Sequence, residues 1–280
     1  MSMVMFTQGR AMVSPRNCGL RHGEIPQEEL LALTPQLTEV EKASCFAKYY
    51  YQPMAPLQPE HYIAIDGGPM DPADGFLPDQ VGRQMLNTGH CQVENGYCAL
   101  PNGVGYSAIK VDQIGRTEAQ INKYNRDFAP EENLFYKIWC PGDHILHFTD
   151  GMIEDLGWGV LNMKQVSGCL PRTLGINPDE VLQKDPQCIH IVATSILVKL
   201  LTEPEAEPEY LSMMLYTRET PEGREMRARF WIGLLFTPEG FTVKIPKGPV
   251  TVTEMSKKIM IHCMREYTNE NRLIDAFWNF

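Results

Sequence analysis

Near the C-terminal end of the chain stands the run His262-Cys263-Met264-Arg265-Glu266. In a helix, residues four apart share a face one turn apart, so His262 and Glu266 would offer an imidazole nitrogen and a carboxylate oxygen to one ion. Ile259, Met260, Cys263 and Met264 surround the pair, which predicts that this stretch is buried. The same spacing also arises as an ordinary surface pair, and the two residues alone leave both readings open. A second cluster, Trp139-Cys140-Pro141-Gly142-Asp143-His144-Ile145-Leu146-His147, is followed by Ile153-Glu154-Asp155-Leu156-Gly157. His144 and Glu154 would complete a site of two histidines and two carboxylates with His262 and Glu266. That donor set suits zinc or another borderline divalent ion better than a soft-ligand metal. The plainer alternative makes Asp143 and His144 a turn and leaves Glu154 in solvent. His147 lies three residues beyond His144, so in a strand the two point opposite ways and would not share a metal.

Other chemistries lack their signatures. The sequence has no G-x-S-x-G elbow, no G-x-x-x-x-G-K-[ST] loop, no H-E-x-x-H and no G-x-G-x-x-G opening a helix. Asn102-Gly103-Val104-Gly105 reads more simply as a turn between strands. The 8 cysteines form no C-x-x-C pair, which argues against a zinc knuckle or a thioredoxin-like site and fits reduced thiols in a cytoplasmic protein. A Cys/His dyad stays open, because tertiary contacts decide it.

The elements that must position these residues can be read from periodicity. Leu30, Leu31, Leu33, Leu37, Val40, Ala43, Phe46 and Ala47 recur at helical spacing between Pro26 and Tyr51. A stretch rich in proline and glycine, Gln52 to Gly82, should then be an ordered but irregular connector. Strands are expected at Tyr97–Leu100, Gly105–Val111, Leu134–Trp139 and His144–Phe148, with a helix capped by Thr117 reaching Phe128. Later strands are expected at Cys188–Leu200, Tyr210–Arg218, Arg224–Phe236 and Phe241–Ile245. Met226, Ala228 and Phe230 alternate with Arg227, Arg229 and Trp231, giving one strand two distinct faces. From Thr251 to Trp278 the pattern is one long helix, with Thr251 or Thr253 as N-cap and Glu254 in its first turn. Strands followed by a long helix imply an α+β fold in which the helix lies across an antiparallel sheet and a cavity separates them.

The 280 residues can bury a substantial core without disulfides or metal. A net charge of -10 argues against nucleic acid or an anionic membrane surface as partner. The longest apolar run, Ile189 to Leu201, is interrupted by His190, Thr194, Ser195 and Lys199, too short and too polar for a transmembrane helix. Residues 1–20 lack the pattern of an export signal. The expected partner is a small molecule, with no nucleic acid, no membrane, and a homodimer left open.

Four segments, in order, carry a family resemblance: Gly96-Tyr97-Cys98-Ala99-Leu100-Pro101-Asn102-Gly103-Val104-Gly105-Tyr106; Tyr136-Lys137-Ile138-Trp139-Cys140-Pro141-Gly142-Asp143-His144; Arg218-Glu219 with Glu225-Met226-Arg227-Ala228-Arg229-Phe230-Trp231; and His262-Cys263-Met264-Arg265-Glu266-Tyr267-Thr268-Asn269. Together they resemble the 2,4-diacetylphloroglucinol hydrolase and phloretin hydrolase family. The resemblance implies a small N-terminal helical domain over residues 1–95 and a helix-grip domain of the Bet v 1 or START-like kind over 96–280. It also implies Zn2+ as cofactor and hydrolysis, of retro-Claisen type, of the carbon–carbon bond between an acyl group and a polyphenol ring. Carried over by motif, the zinc ligands fall on His144, Glu154, His262 and Glu266, and Tyr136 on a substrate-contacting tyrosine. His147 or His190 would move the proton.

The chain departs from that family pattern in places. Leu215 stands where the family has a histidine, and Phe230 where it has a tyrosine. Asn122-Lys123-Tyr124-Asn125-Arg126-Asp127-Phe128 replaces a tryptophan-rich helix. His144 and Glu154 are closer in sequence than the family pattern, so Asp150 and Asp155 stand beside Glu154 as alternatives. Leu215 and Phe230, as substrate-binding positions, imply a more apolar or differently hydroxylated aromatic or polyketide substrate. Two rivals accompany the hydrolase reading: a metal-dependent cyclase, isomerase or lyase on the same fold, and a non-catalytic binder of small hydrophobic ligands.

Overall fold

A computed structural model describes residues 27–117, 119–121, 123–124, 132–148, 154–157, 161–168, 187–203, 205–237, 239–248 and 250–279. The architecture is α+β. Eight strands pair antiparallel into one sheet in the order β1-β2-β8-β7-β6-β5-β4-β3. In chain order these are β1 (Gly96–Ala99), β2 (Gly105–Ile114), β3 (His144–Phe148), β4 (Glu154–Gly157), β5 (Leu161–Gly168), β6 (Cys188–Leu200), β7 (Glu209–Thr220) and β8 (Gly223–Ile232). A two-stranded ribbon, β9 (Leu234–Thr237) with β10 (Gly240–Val243), follows.

The expected strand Arg224–Phe236 is therefore split. Gly233, at φ 83°, takes a left-handed conformation open to glycine, and the chain leaves the large sheet there. Leu134–Trp139, expected as a strand, is instead the end of a helix, α5 (Glu132–Trp139). Leu134, Phe135 and Ile138 are all buried there, so an apolar run too short to show its period misleads. The single helix expected over 26–51 is broken into α1 (Gln27–Ala32) and α2 (Glu39–Lys42). Pro35 cannot continue the first, and a Thr38/Glu41 capping box starts the second. The connector holds α3 (Pro59–Asp66) and α4 (Val81–Gln84), the former with proline in its first turn. The helix expected from Thr117 opens on a Thr117–Gln120 cap, residues 119–121 and 123–124 are helical, and the remainder lies outside the described residues.

The last helix, α6 (Val252–Trp278), is the organising element. Thr251 caps it: its Oγ1 accepts from the Glu254 amide at 3.2 Å, and the Glu254 carboxylate accepts from the Thr251 amide at 2.9 Å. One face buries Ile259, Met260, Cys263 and Met264 against Ile109, Ala228, Phe230 and Ile232 of the sheet. Its last turns bury Leu273, Ile274 and Phe277 against Leu37, Tyr49, Tyr124 and Phe135. Residues 27–95 thus share apolar clusters with the rest of the chain. At α6, His262 meets His144 of β3 at one end of the sheet order, while the helix also packs on β1 and β2 at the other. The other face of the sheet is covered by the connector, with Phe76, Val81 and Met85 on Tyr106, Tyr216 and Trp231. The two faces of β8 are as the sequence alternation predicted.

Candidate metal centre

His144 reaches its position through a helix–turn–strand unit. Helix α5 ends at Trp139, and the amides of Asp143 and His144 both donate to the Cys140 carbonyl, at 3.2 Å each. Gly142, at φ 93°, permits the tight turn. This folds His144 back under α5, so that its Nδ1 meets the Tyr136 carbonyl at 2.8 Å. A carbonyl only accepts, so Nδ1 carries the hydrogen of that bond, and Nε2 is the atom turned toward α6. The Tyr136 ring lies flat on the imidazole, centroids 3.8 Å apart and planes 4° from parallel.

Asn269 of α6 fastens this unit to the last helix. Its Nδ2 donates to the Ile138 and Trp139 carbonyls at 3.2 and 2.9 Å, occupying the open end of α5. Its Oδ1 accepts from the Ala55 amide at 3.2 Å and from Arg272 at 2.8 Å. Asn269 is fully buried, and it sets the height of His144 against His262 and Glu266.

Three donor atoms then converge. His144 Nε2 is 3.3 Å from His262 Nε2, and each of these nitrogens is 3.4 Å from Glu266 Oε2. His262 Nδ1 meets Asp143 Oδ2 at 2.9 Å, so both imidazoles are held from behind and face each other with Nε2. The triangle is shielded: His144 is 3% and Glu266 5% exposed. Ligands at ~2.0–2.1 Å in a tetrahedral shell stand ~3.3 Å apart, against ~2.9 Å for adjacent octahedral ligands at the same bond length. The observed edges match the tetrahedral spacing, and two imidazoles with one carboxylate are a donor set that zinc accepts.

The electrostatics agree with a place for a cation. Burial opposes ionisation of Glu266, yet His262 and His144 hold it ionised, with a pKa of about 2. Burial likewise disfavours the charged form of His262, but Glu266 and Asp143 outweigh it and raise its pKa well above the ordinary value. Asp143 is also pulled down to about 2 against its own burial, by His262 and Arg265. Cys140 is near as well, with Sγ 3.8 Å from His262 Nδ1 and 3.4 Å from Asp143 Oδ2, and it forms a loose cluster with the two histidines. It approaches the nitrogen that Asp143 already occupies, and burial pushes its thiol pKa up. The Glu266 carboxylate, which stands 3.4 Å from both Nε2 atoms, is therefore the better placed of the two.

The remaining expected site residues fall as follows. Glu154 begins β4 opposite Phe148, four residues along β3 from His144 and thus about 13 Å away along the strand. Its side chain and Asp150 lie outside the described residues. His147 lies beyond Tyr136, ring centroids 5.4 Å apart, with its amide donating to Asn133 Oδ1 at 2.7 Å. Leu215 and Phe230 both face α6 in the apolar cluster around Met260 and Met264. His190 is on β6 opposite Thr217, its side chain outside the described residues. Asp143, Asn269 and Trp139 do work that sequence reasoning did not assign. The buried Trp139 Nε1 has no hydrogen-bond partner, and its ring is edge-on to both His144 and Tyr267. Only the position of Asn269 within a resembling segment signalled it.

A match to the DAPG hydrolase PhiG domain spans residues 79–152 and 146–278. The chain belongs to the DAPG hydrolase family. Phloretin hydrolase from Eubacterium ramulus is 23% identical over 254 residues, covering 82% of this chain and 88% of that protein. 2,4-Diacetylphloroglucinol hydrolase from Pseudomonas protegens is 26% identical over 212 residues, covering 67% of this chain and 66% of that one. Both relatives are hydrolases by name, and the two stretches matched to the PhiG domain include His144, His262 and Glu266. The six described cysteines are free thiols, and no described helix is long and apolar enough to cross a membrane.

Proposed function

We propose that this chain is a zinc-dependent hydrolase, built on a helix-grip scaffold, that cleaves the carbon–carbon bond between an acyl group and a polyphenol ring or a related β-diketone. The observation that carries this reading is the triangle of His144 Nε2, His262 Nε2 and Glu266 Oε2, with edges of 3.3, 3.4 and 3.4 Å. Zinc held by these three residues would supply Lewis-acid polarisation of a substrate oxygen. A ring bearing an acyl group beside hydroxyls can tautomerise to a ring ketone, which lets the ring carbon leave as a stabilised carbanion. Water then adds its oxygen to the acyl carbon and its proton to the ring carbon, giving a carboxylic acid and the free polyphenol.

The chain's own residues prepare that step. Tyr136 and Asp143 hold the two imidazoles in one tautomer and one orientation, which limits reorganisation at the site. The spare Trp139 N–H, beside His144, offers a donor to a ring or acyl oxygen. His147, on the far side of the Tyr136 ring, is the proton-transfer residue of this reading, and Tyr136 the aromatic face that meets the substrate. Leu215 and Phe230 belong to the apolar cluster packed against α6, and an apolar wall there favours a substrate with fewer ring hydroxyls on that side. The same apolar wall is the observation favouring the second reading, a metal-dependent isomerase or lyase. The test is incubation of the zinc-loaded protein with a panel of acylphloroglucinols and detection of released carboxylic acid. Release lost in His262→Ala supports hydrolysis; turnover without acid favours the second reading, and no turnover across the panel contradicts both.

A further inference from the structure

At the other nitrogen of His262, three more donor atoms stand together. Cys140 Sγ is 3.4 Å from Asp143 Oδ2 and 3.8 Å from His262 Nδ1, and those two are 2.9 Å apart. Two separate elements bring them there: Cys140 opens the turn that carries Asp143 and His144, and α6 supplies His262. The bond between Nδ1 and the carboxylate already satisfies both groups, and Arg265 Nη1 reaches the same Oδ2 at 3.3 Å. The sulfur thus adds a soft donor beside two harder ones that do not need it.

Zinc holds sulfur at ~2.3 Å and nitrogen or oxygen at ~2.0–2.1 Å, so a tetrahedral shell spaces its ligands ~3.5 Å apart where one is sulfur and ~3.3 Å apart otherwise. The two sulfur edges lie on either side of the first figure. The shorter nitrogen–oxygen edge is a hydrogen bond, and its hydrogen is what an ion would replace. Asp143 and His262 border a cavity of about 620 Å3, which gives an ion its way in.

Resting on the reading of His262 as a zinc ligand, we propose that Cys140 Sγ, Asp143 Oδ2 and His262 Nδ1 form a second metal site, for a thiophilic divalent cation such as cadmium, and that filling it withdraws His262 from the zinc triangle. Thiolate is the ligand that selects such ions over harder ones. The two sites share one imidazole. With zinc in the triangle, Nδ1 keeps its hydrogen and donates to Asp143. With the soft cation at Nδ1, that hydrogen moves to Nε2, where Glu266 Oε2 at 3.4 Å accepts it. Filling both sites at once would strip the ring of its last hydrogen. Cys140 gives up its thiol proton to solvent, as a coordinated thiol does even where burial opposes it. Arg265, with its side chain 40% exposed, turns outward as the cation takes its place on Asp143. Zinc then keeps His144 and Glu266 alone and leaves.

The test adds cadmium chloride to the full zinc-loaded chain. The ultraviolet thiolate-to-cadmium absorption band reports sulfur ligation, and an indicator dye reports released zinc. The wild type should lose about one zinc per cadmium bound as the band grows. Cys140→Ser, its fold checked by thermal melting, should lose that part of the band, hold its zinc to about tenfold more cadmium, and still release acid from an acylphloroglucinol. Cadmium NMR of the wild type, with a resonance set by one sulfur beside nitrogen and oxygen, reads the same site without a variant. Zinc released with no band, a band unchanged in Cys140→Ser, or a band that grows while zinc stays bound overturns the assignment. A chain that takes up no zinc yet shows the band, and loses it in Cys140→Ser, keeps the sulfur site and removes the zinc reading. Zinc exchange as expected, with no acid released from any acylphloroglucinol, keeps the sulfur site and removes the hydrolase reading.

Discussion

The sheet has buried charge on both faces, and the two clusters are neutralised in different ways. On the connector face, Glu94 receives Arg227 at 2.6 Å and Arg229 at 2.6 Å, and both arginines are fully buried. Arg227 also donates to the Met85 carbonyl at 3.0 Å, and Arg218 pairs with Glu225 at 2.6 Å. Guanidinium nitrogens there meet carboxylate and carbonyl oxygens. On the helix face, two imidazole nitrogens and a carboxylate oxygen point at one another, and their outward atoms are already bonded to Tyr136 and Asp143. His262 and Glu266 offset each other there as an ion pair, but the three atoms also converge on one point, as metal ligands do. The first cluster holds the connector on the sheet; the second is the set of ligands proposed above for zinc.

Breaking each cluster should therefore have a different signature. The largest effect is expected at Glu266→Gln or His262→Ala, with loss of bound zinc and of about 10³-fold or more in turnover, read by metal content and acid release. The fold of these variants, followed by thermal melting, should change little. On the other face, Arg229→Met leaves Glu94 buried and half-paired and should cost about 3–5 kcal/mol in denaturant unfolding. Zinc per folded chain should stay unchanged in that variant.

Asp143→Asn sharpens the contrast. It keeps a side chain behind His262 but loses the charge, so zinc affinity measured by chelator competition should weaken about 10- to 100-fold with the fold intact. Acid provides a milder probe. Burial opposes ionisation of Glu94, but Arg229 and Arg227 hold its folded pKa at about 2 against 4.5. Its folded value is lowered, so its contribution is complete above pH 4.5 and disappears as pH falls toward 2. The raised His262 binds a proton in competition with metal, so zinc should leave at higher pH than the fold fails. Parallel titrations with a zinc indicator and circular dichroism check this, and coincident midpoints would contradict it.

Much of the helix face was legible from the chain. Spacing four apart in a strongly periodic helix set His262 and Glu266 together, and the Trp139-to-His147 cluster supplied His144. The two faces of β8 followed from alternation. Glu154 illustrates the limit, because strand register decides which residues along a hairpin meet, and no local pattern records it. Leu134–Trp139 misled for another reason: the apolar run alone is too short for strand and helix periods to be told apart. Asn269 is invisible to motif reasoning, since its work is to satisfy carbonyls of a helix more than a hundred residues earlier.

The zinc content of the purified chain after exhaustive dialysis, set beside that of Glu266→Gln, bears most directly on the donor triangle. About one equivalent per wild-type chain and almost none in the variant is the expected result. Wild-type protein holding less than about a tenth of an equivalent, even after zinc is supplied, would contradict it.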